Sequence, residues 1–357
     1  MSESSEWLIY RGAGEPHDGI TQLPPPPPWR DFGGIGDGAC DGEGERDGKG
    51  AGGGGGVDGD ASADRRLGGY RHEAELHRPG AEELEMVNAA LYLRRPLLVT
   101  GSPGAGKSTL AHSVAHELGL GRVLRWPVVS RSTLQDGLYH YDAIARLQDV
   151  QIAAHSTGAG AEVQDPSAGI GSYIRLGPLG TALLPTEQPR VLLIDEMDKS
   201  DIDLPNDLLN VLEEGEFSIP ELERIADRLP DGEAEVLTHD GRKVTVKGGR
   251  VQCKAFPFVV LTSNGERDFP APLMRRCIHL ELGRPDRQRL ATFVRAHLGD
   301  EAARAGDDLI VHFLERSRSE LISTDQLLNA IYLTGAAAPA GRDRLADLLI
   351  QRLDRPR

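Results

Sequence analysis

Residues 96–109 read PLLVTGSPGAGKST, a short apolar run followed by a glycine-rich loop that ends in Lys-Ser-Thr. The loop satisfies the pattern G-x-x-x-x-G-K-[ST], in which glycines let the backbone curl so that its N–H groups point at phosphate oxygens. The apolar run predicts a buried strand, and the residues after the loop predict a helix whose positive end faces the phosphates. The stretch therefore predicts a triphosphate site between a strand and a helix.

Each residue type in the loop has a place in that site. Lys107 reaches the phosphate oxygens, and the Ser108 hydroxyl is a ligand for Mg²⁺. The expected cofactors are therefore ATP and Mg²⁺. The residues expected to contact ATP are Gly101, Ser102, Pro103, Gly104, Ala105, Gly106, Lys107, Ser108 and Thr109.

A second apolar strand ends in two acidic residues. Residues 191–196 read VLLIDE, which places Asp195 and Glu196 at the carboxyl end of a predicted central strand. Asp195 is placed to hold the water shell of Mg²⁺ opposite Ser108, and Glu196 is placed to polarise an attacking water. The prediction that the site hydrolyses ATP, and does not only bind it, rests on Glu196.

A third predicted strand, residues 257–262, leads into Ser-Asn-Gly and then into two adjacent arginines. Asn264 either orients the attacking water or touches the γ-phosphate, or it only closes the strand in an Asn-Gly turn. The residues alone leave these interpretations open. Arg275 and Arg276 follow a short apolar turn and suggest the edge of a subunit.

Strands that alternate with helical segments predict an α/β fold with a doubly wound parallel sheet. The predicted strands are residues 96–100, 122–129, 190–194 and 257–262. Residues 150–172 interrupt this pattern as an inserted loop. Residues 232–252 predict a hairpin that turns at Asp240 and Gly241.

Composition and periodicity divide the chain into three parts. Residues 1–72 predict a disordered N-terminal tail and linker, residues 73–284 an α/β nucleotide-binding domain, and residues 285–357 a smaller all-helical domain. The C-terminal helices are expected near residues 286–298, 307–319, 324–334 and 343–354.

The tail combines a Trp- and Pro-rich segment with a Gly- and Asp-rich one. Pro24–Pro28 form a run that favours polyproline II geometry. Residues 33–69 contain 16 glycines in 37 positions and bury too little apolar surface to offset the entropy of ordering. The Trp/Pro segment is either a docking peptide, for a partner or for the chain's own body, or an unstructured tail.

Charge and cysteine content narrow the class of partner. The formal charge is -15, and residues 1–64 hold 13 acidic and 4 basic residues. Because the sequence has no basic block, we expect no nucleic-acid partner. Because it has no apolar run near the roughly 18 residues that span a bilayer, we expect no association with a membrane. Cys40, Cys253 and Cys277 lack the spacing of a disulfide framework or zinc ribbon. We expect a cytoplasmic protein whose partners are proteins.

The motifs taken together resemble a known family. GSPGAGKS at 101–108, VLLIDEMDK at 191–199, TSN at 262–264 and LMRRC at 273–277 are similar, in order and spacing, to the AAA+ ATPases, and specifically to their MoxR-like branch. The resemblance covers residues 78–335. It implies an AAA+ P-loop fold with a C-terminal helical lid domain, in a homo-oligomeric ring, usually a hexamer, with ATP at the subunit boundaries.

The resemblance also implies roles for single residues. Asn264 matches the sensor-1 position, and Arg276 best matches the arginine finger that enters the neighbour's site, with Arg275 as second choice. Residues 150–172 match a helix-2 insert and residues 216–256 a pre-sensor hairpin, both implied to contact a substrate protein. The residues expected to carry catalysis are Lys107, Glu196, Asn264 and Arg276.

Two hypotheses about function follow. The leading one is a ring that hydrolyses ATP and remodels or activates a protein partner in a chaperone-like way, often a partner with a von Willebrand factor A domain. The alternative is a nucleotide-gated signalling or scaffold ATPase with slow turnover, whose ATP-dependent assembly controls a partner. Asp325, near the place of the sensor-2 arginine in many relatives, favours the alternative, whereas Glu196 opposes it.

Overall fold

A parallel central sheet, a second sheet and a group of C-terminal helices make up the described part of the chain. The structure, a computed structural model, describes residues 7–32, 78–156, 169–317, 322, 324–336 and 349–350. The strands are β1 (Leu97–Gly101), β2 (Leu124–Pro127), β3 (Tyr139–Tyr141), β4 (Ile174–Leu176), β5 (Val191–Asp195), β6 (Glu216–Ser218), β7 (Glu233–Leu237), β8 (Lys243–Lys247), β9 (Arg250–Gln252), β10 (Phe258–Ser263) and β11 (Ile278–Leu282). The helices are α1 (Ala81–Leu93), α2 (Lys107–Glu117), α3 (Leu134–Leu138), α4 (Ala143–Ser156), α5 (Pro178–Ala182), α6 (Asp203–Glu214), α7 (Pro220–Glu223), α8 (Ala271–Arg276), α9 (Arg287–Ala305), α10 (Asp307–Ser317) and α11 (Thr324–Ala336).

The central sheet has the order β11-β1-β10-β5-β2, and every neighbouring pair in it is parallel. Successive residues of β1 face opposite sides. Leu97 and Val99 pack in an apolar cluster with α1 and α2, whereas Leu98 packs in a second cluster with α5 and α6. Helices therefore cover both faces, as parallel sheets require. The predicted doubly wound parallel α/β fold is confirmed.

Strand β11 is the one strand of this sheet that the sequence prediction missed. In β11 the buried Leu280 and Leu282 alternate with the exposed His279 and Glu281. Alternation of this kind is typical of an edge strand with one solvated face, whereas β1, β5 and β10 are near-continuous apolar runs.

The second sheet is mostly antiparallel and has the order β3-β4-β7-β8-β9-β6. It contains the predicted hairpin, because β7 pairs with β8 across a turn at residues 238–242. Thr238 Oγ1 donates to Asp240 Oδ1 at 2.6 Å, and Gly241 has a φ of 81°. The Asp-Gly turn is therefore confirmed.

The segment predicted as an inserted loop, residues 150–172, is partly helical. Helix α4 continues to Ser156, and Ile170–Tyr173 form a 3₁₀ turn, while residues 157–168 lie outside the described part. The loop prediction was wrong for residues 150–156, because the helical repeat of the preceding residues continues into the segment before its first glycine.

Helices α9, α10 and α11 pack around an apolar cluster of their own, to which Leu290, Ile310, Phe313 and Leu327 contribute. The predicted helical C-terminal region is confirmed where the structure describes it. Of the fourth predicted helix, only residues 349–350 are described. The domain boundary after residue 284 stays a prediction. No helix in the described ranges is long and apolar enough to cross a membrane.

Residues 7–32 form what we term the N-terminal strap, which packs on the α/β body. The predicted disorder of residues 1–72 is wrong for this part. Ile9, Tyr10 and Ile20 are buried in the cluster of α1 and α2. Composition averaged over the tail obscured these side chains, which fill a core that the rest of the chain supplies.

Two buried polar side chains of the body hold the backbone of the strap. Asn88 Oδ1 accepts hydrogen bonds from two strap N–H groups, and the fully buried Glu117 accepts from three. His17 Nε2 also lies 3.1 Å from Glu117 Oε1. Because buried polar groups need partners, the strap and the body satisfy each other. The remainder of the predicted tail lies outside the described part, as do the residues that follow it up to 77.

The strap ends at a buried arginine. Arg30 is 4% exposed and donates hydrogen bonds of 2.6–3.3 Å to carbonyl groups at the carboxyl ends of α1 and α6. Its guanidinium carbon lies 5.0 Å from the ring centroid of Phe32 and 4.7 Å from that of Phe256. Helix carboxyl ends carry partial negative charge and aromatic faces attract cations, so the site compensates for the burial of this charge.

We expect Tyr10→Ala to destabilise the chain, because Tyr10 is buried and its hydroxyl lies 2.8 Å from Ser113 Oγ on α2. Truncation of a buried aromatic costs about 3–5 kcal/mol, which should lower the melting temperature by several degrees. Trp29→Ala is the matched control on the same strap, since Trp29 is 72% exposed and its removal should change stability little. Circular dichroism melts measure both, and equal melting temperatures would contradict the packing of the strap.

Candidate active site

The glycine-rich loop lies at the carboxyl edge of the central sheet. Strand β1 ends at Gly101 and α2 begins at Lys107. Gly104 and Gly106 have φ angles of 77° and 89°, in the left-handed region that glycine enters without strain. Gly101 is required by space, since a Cβ there would lie 2.6 Å from the Leu282 carbonyl oxygen. The loop thus has the backbone curvature on which phosphate binding depends.

Lys107 is buried and points across the loop. Its Nζ donates to the carbonyl oxygens of Gly101 at 2.8 Å and Ser102 at 3.0 Å, and to Asn264 Oδ1 at 2.8 Å. Burial lowers the pKa of Lys107, and the negative charges of nearby carboxylates, led by Asp198, act in the opposite direction. The structure therefore brings two predicted site residues into contact across 157 positions of sequence.

Ser108, Asp195 and Thr262 form a hydrogen-bonded group next to this lysine. Ser108 Oγ donates to Asp195 Oδ1 at 2.9 Å, and Thr262 Oγ1 donates to the same oxygen at 2.7 Å. A hydroxyl and a carboxylate so close together are the hard oxygen ligands that Mg²⁺ prefers, with water completing its shell. The donor chemistry of Ser108 and Asp195 therefore fits Mg²⁺.

The other oxygen of Asp195 is bound by Arg125 of β2. Arg125 Nη2 lies 2.6 Å and Nε 3.2 Å from Asp195 Oδ2. Burial alone would raise the pKa of Asp195, but the hydrogen bonds from Thr262, Arg125 and Ser108, together with the charge of Arg125, lower it. The carboxylate is therefore held in its ionised form.

Glu196 follows Asp195 at the turn out of β5. Its φ of 61° is uncommon for a residue with a side chain, and its N–H donates to Thr262 Oγ1 at 2.9 Å. Its half-exposed carboxylate lies 2.7 Å from Lys199 Nζ. The hydrogen bond to Glu196 raises the pKa of Lys199. Lys199 therefore holds the Glu196 carboxylate in this structure.

Asp198 positions the loop that carries Asn264. Asp198 is buried, and its Oδ2 accepts from the N–H groups of Asn264 at 2.9 Å and Glu266 at 3.2 Å. Its Oδ1 forms no hydrogen bond with a described residue. The two backbone bonds fix the point from which the Asn264 amide reaches Lys107.

The C-terminal helices touch the loop through Thr324, the first residue of α11. Thr324 Oγ1 donates to the Gly104 carbonyl oxygen at 2.9 Å, and a Cβ on Gly104 would lie 2.2 Å from that hydroxyl. Asp325 follows in the first turn of α11. The contact between the helical region and the loop is therefore made by a threonine next to the position where the resemblance implies an arginine.

Arg276 does not join the other predicted residues. It ends α8, and its Nε lies 3.2 Å from Glu213 Oε1. Strand β11 starts just after it, at Ile278, which pairs with the first residue of β1, whereas the glycine-rich loop starts at the last residue of β1. The four steps between them span roughly 13 Å at the rise of a strand. Arg275 and Arg276 thus lie at the amino ends of the parallel strands, whereas the chain's own loop lies at their carboxyl ends.

The predicted residues therefore fall into two places. Residues 101–109 form the loop and the first turn of α2, and the residues in contact there are Lys107, Ser108, Asp195 and Asn264, with Glu196 adjoining them. Sequence reasoning missed Arg125, Thr262, Asp198, Lys199 and Thr324. The single charge within the apolar run of β2 was a signal for Arg125, whereas nothing local to Thr324 marks it.

A family model matches the part of the chain that builds this site. The model of the AAA domain (dynein-related subfamily) matches residues 96–277, a little over half of the chain. The chain belongs to this family. AAA ATPases bind ATP, typically with Mg²⁺, and this agrees with the oxygen ligands that Ser108 and Asp195 offer. AAA ATPases are also generally oligomeric. No curated protein is similar enough to the chain to count as a match.

We expect Asp198→Ala to slow ATP turnover by the AAA domain about tenfold, which corresponds to about 1.4 kcal/mol, because Asn264 loses its backbone anchor. Asp198→Asn is the matched control, since its amide oxygen can still accept from both N–H groups. It should keep most of the turnover. Steady-state kinetics at saturating Mg²⁺ measure both, and an Asn variant as slow as the Ala variant would assign the effect to charge near Lys107 and contradict the anchoring role.

Proposed function

We propose that the chain is an ATP-hydrolysing, MoxR-like AAA+ ATPase that works as a homo-oligomeric ring, of six copies as is usual in the family it resembles, and remodels or activates a protein partner. The observation that carries the proposal is the contact group at the sheet edge, where Lys107 meets Asn264 and Ser108 meets Asp195. Glu196 follows directly. A nucleotide clamp needs the loop alone, whereas hydrolysis also needs a group that orients or polarises the attacking water, the role proposed for Glu196.

In the proposed ground state, the loop at residues 101–109 binds the phosphates through backbone N–H groups, and Lys107 neutralises part of their charge. Ser108 and Asp195 would hold Mg²⁺, which supplies further charge neutralisation when bound. Binding requires Lys107 to exchange Asn264 and two carbonyl groups for phosphate oxygens.

In the proposed reaction, Glu196 polarises the attacking water and takes up its proton. The Oε1 oxygen, which lies 2.7 Å from Lys199 Nζ, can act as the base once it leaves this exposed ion pair. Asn264, once released by Lys107, orients the water or touches the γ-phosphate. Both changes are local side-chain movements that need no change in the sheet.

The ring is proposed from the position of Arg276. This residue and its own loop lie at opposite edges of the sheet, so Arg276 can assist hydrolysis only in a neighbouring copy. An arginine supplied in this way neutralises charge that develops in the transition state. The pairing with Glu213 keeps the guanidinium at the surface of the body.

Contact with a partner protein is proposed for helix α4, whose last residues, 150–156, begin the region that resembles a helix-2 insert. Its large aliphatic side chains are exposed to an unusual degree for one helix of fourteen residues: Ile144, Leu147, Val150 and Ile152. Exposed apolar surface of this kind marks protein interaction sites. On the basis of the MoxR-like resemblance, we further propose that the partner contains a von Willebrand factor A domain.

The setting that we propose is the cytoplasm. Cys253 and Cys277 are buried free thiols, and burial raises the pKa of each to about 12. Thiols of this kind do not need a disulfide for their packing.

The second candidate is a nucleotide-gated signalling or scaffold ATPase with slow turnover. Asp325 in the first turn of α11 favours it, because this residue stands near the place where the resemblance implies a sensor-2 arginine. In that case the ATP-dependent assembly state, and not the turnover, would control the partner.

Light-scattering mass and ATP turnover, measured across protein concentration for the wild type and Glu196→Gln, separate these candidates. We expect a ring that forms with ATP, cooperative turnover in the wild type, and an assembled variant that binds ATP but hydrolyses it at least about a hundredfold more slowly. Assembly with negligible wild-type turnover would favour the signalling candidate. A monomer at every concentration would contradict the ring.

Arg276→Ala should lower turnover on the order of a thousandfold, the lower bound measured for such arginines, whereas Arg275→Ala should lower it much less. Lys107→Ala should also be inactive. A mixture of Arg276→Ala and Lys107→Ala chains should regain turnover, because some boundaries then combine an intact loop with an intact Arg276 from the other chain. A mixture that stays inactive in assembled rings would contradict action across the boundary.

A further inference from the structure

Arg125 shares a face of the central sheet with the predicted metal ligands. Along β2, Leu124 and Trp126 are buried in the cluster of α5 and α6, so Arg125 between them faces the side of α2. It pairs in register with Leu193, and Asp195 lies two residues further along the neighbouring strand. Diagonal neighbours of this kind lie within reach of a long side chain.

The two oxygens of Asp195 are divided between two kinds of partner. Oδ1 accepts from Ser108 and Thr262, on the side of the glycine-rich loop. Oδ2 accepts twice from Arg125, at 2.6 and 3.2 Å. The arginine therefore fixes the rotation of the carboxylate, and it places a permanent positive charge on the group that would also balance Mg²⁺.

The surroundings of Arg125 favour this contact. A hollow of about 450 Å³ opens beside it, and the described residues that line it include Arg131 and Arg175. Burial and the positive charges of Arg175 and Arg122 lower the pKa of His239, which also lines the hollow. The lining carboxylate, Asp136, accepts instead from Thr133. Moving Arg125 from Asp195 into the hollow would therefore bring like charges together.

We propose that Arg125 is a positioning residue that holds Asp195 through Oδ2 and raises the Mg²⁺ concentration needed for nucleotide binding. The proposal rests on the proposed ATPase function of the site. Two cations close to one carboxylate repel each other, so the arginine weakens metal binding while it keeps Oδ1 aimed at Ser108. The arginine thus lowers the affinity of the site for Mg²⁺ and fixes the orientation of the Asp195 carboxylate.

The test is a Mg²⁺ titration of the binding of a fluorescent ATP analogue to the full chain, followed by turnover at saturating Mg²⁺. We expect Arg125→Gln to bind the analogue at a Mg²⁺ concentration about threefold to tenfold lower than the wild type, as expected for the loss of one nearby charge, and to turn ATP over more slowly. A purely structural role would raise the Mg²⁺ requirement or leave it unchanged.

Two variants serve as controls. Arg125→Lys keeps the charge and should need nearly the wild-type Mg²⁺ concentration, and Arg175→Gln removes a charge from the same hollow without a contact to Asp195 and should also match the wild type. Because Arg125 is 37% exposed, glutamine can stand there without becoming a buried unpaired group.

The outcomes separate the two proposals. Normal binding by the wild type with an unchanged or higher Mg²⁺ requirement in Arg125→Gln would overturn the role of Arg125 alone. An equal shift in Arg175→Gln would also overturn it, since general electrostatics would then account for the effect. A wild type that binds no nucleotide at any Mg²⁺ concentration would overturn the proposed function, and this inference with it.

Discussion

The buried carboxylate of Asp195 is the group on which the nucleotide edge of the sheet depends. It sits at the end of β5 and accepts hydrogen bonds from α2, from β10 and from β2 through Ser108, Thr262 and Arg125. A buried charge is costly to leave without partners, so these elements are held in one arrangement around it. Contacts within the chain itself therefore align the loop, the strand that leads to Asn264 and the strand of Arg125, which is the preorganisation that charge stabilisation requires.

The convergence of the main site residues could be predicted because parallel strands end at the same edge of a sheet. Lys107, Asp195 and Asn264 each follow an apolar run, and their local patterns were sufficient to place them together. Arg125 could not be predicted in the same way. Its contact with Asp195 depends on β2 lying next to β5, and strand order and register are properties of the whole sheet that no local pattern contains.

The strap shows the limit of compositional reasoning more directly. Disorder was predicted from the average of a tail rich in glycine, proline and acidic residues, and an average does not show that Ile9, Tyr10 and Ile20 pack in the apolar cluster of α1 and α2. Nor could the sequence reveal that Asn88 and Glu117 are buried polar groups whose partners are strap N–H groups. Those partners lie some eighty to one hundred residues away along the chain, so these hydrogen bonds can be identified only in the folded structure.

The strap also packs against the end of the sheet at which Arg276 lies, away from the glycine-rich loop. Near its start it is bound by Glu117, at the end of α2 that lies away from the glycine-rich loop, and at its end Arg30 binds the carbonyl groups of Leu212 and Glu213. An exposed ion pair such as Glu213–Arg276 contributes little by itself. Arg30, however, is buried and fixes the backbone from which Glu213 extends, so the surface around Arg276 is set partly by the strap. In the proposed ring, Arg276 would face the loop of a neighbouring copy, and a segment first assigned to a tail would then support the surface that carries Arg276.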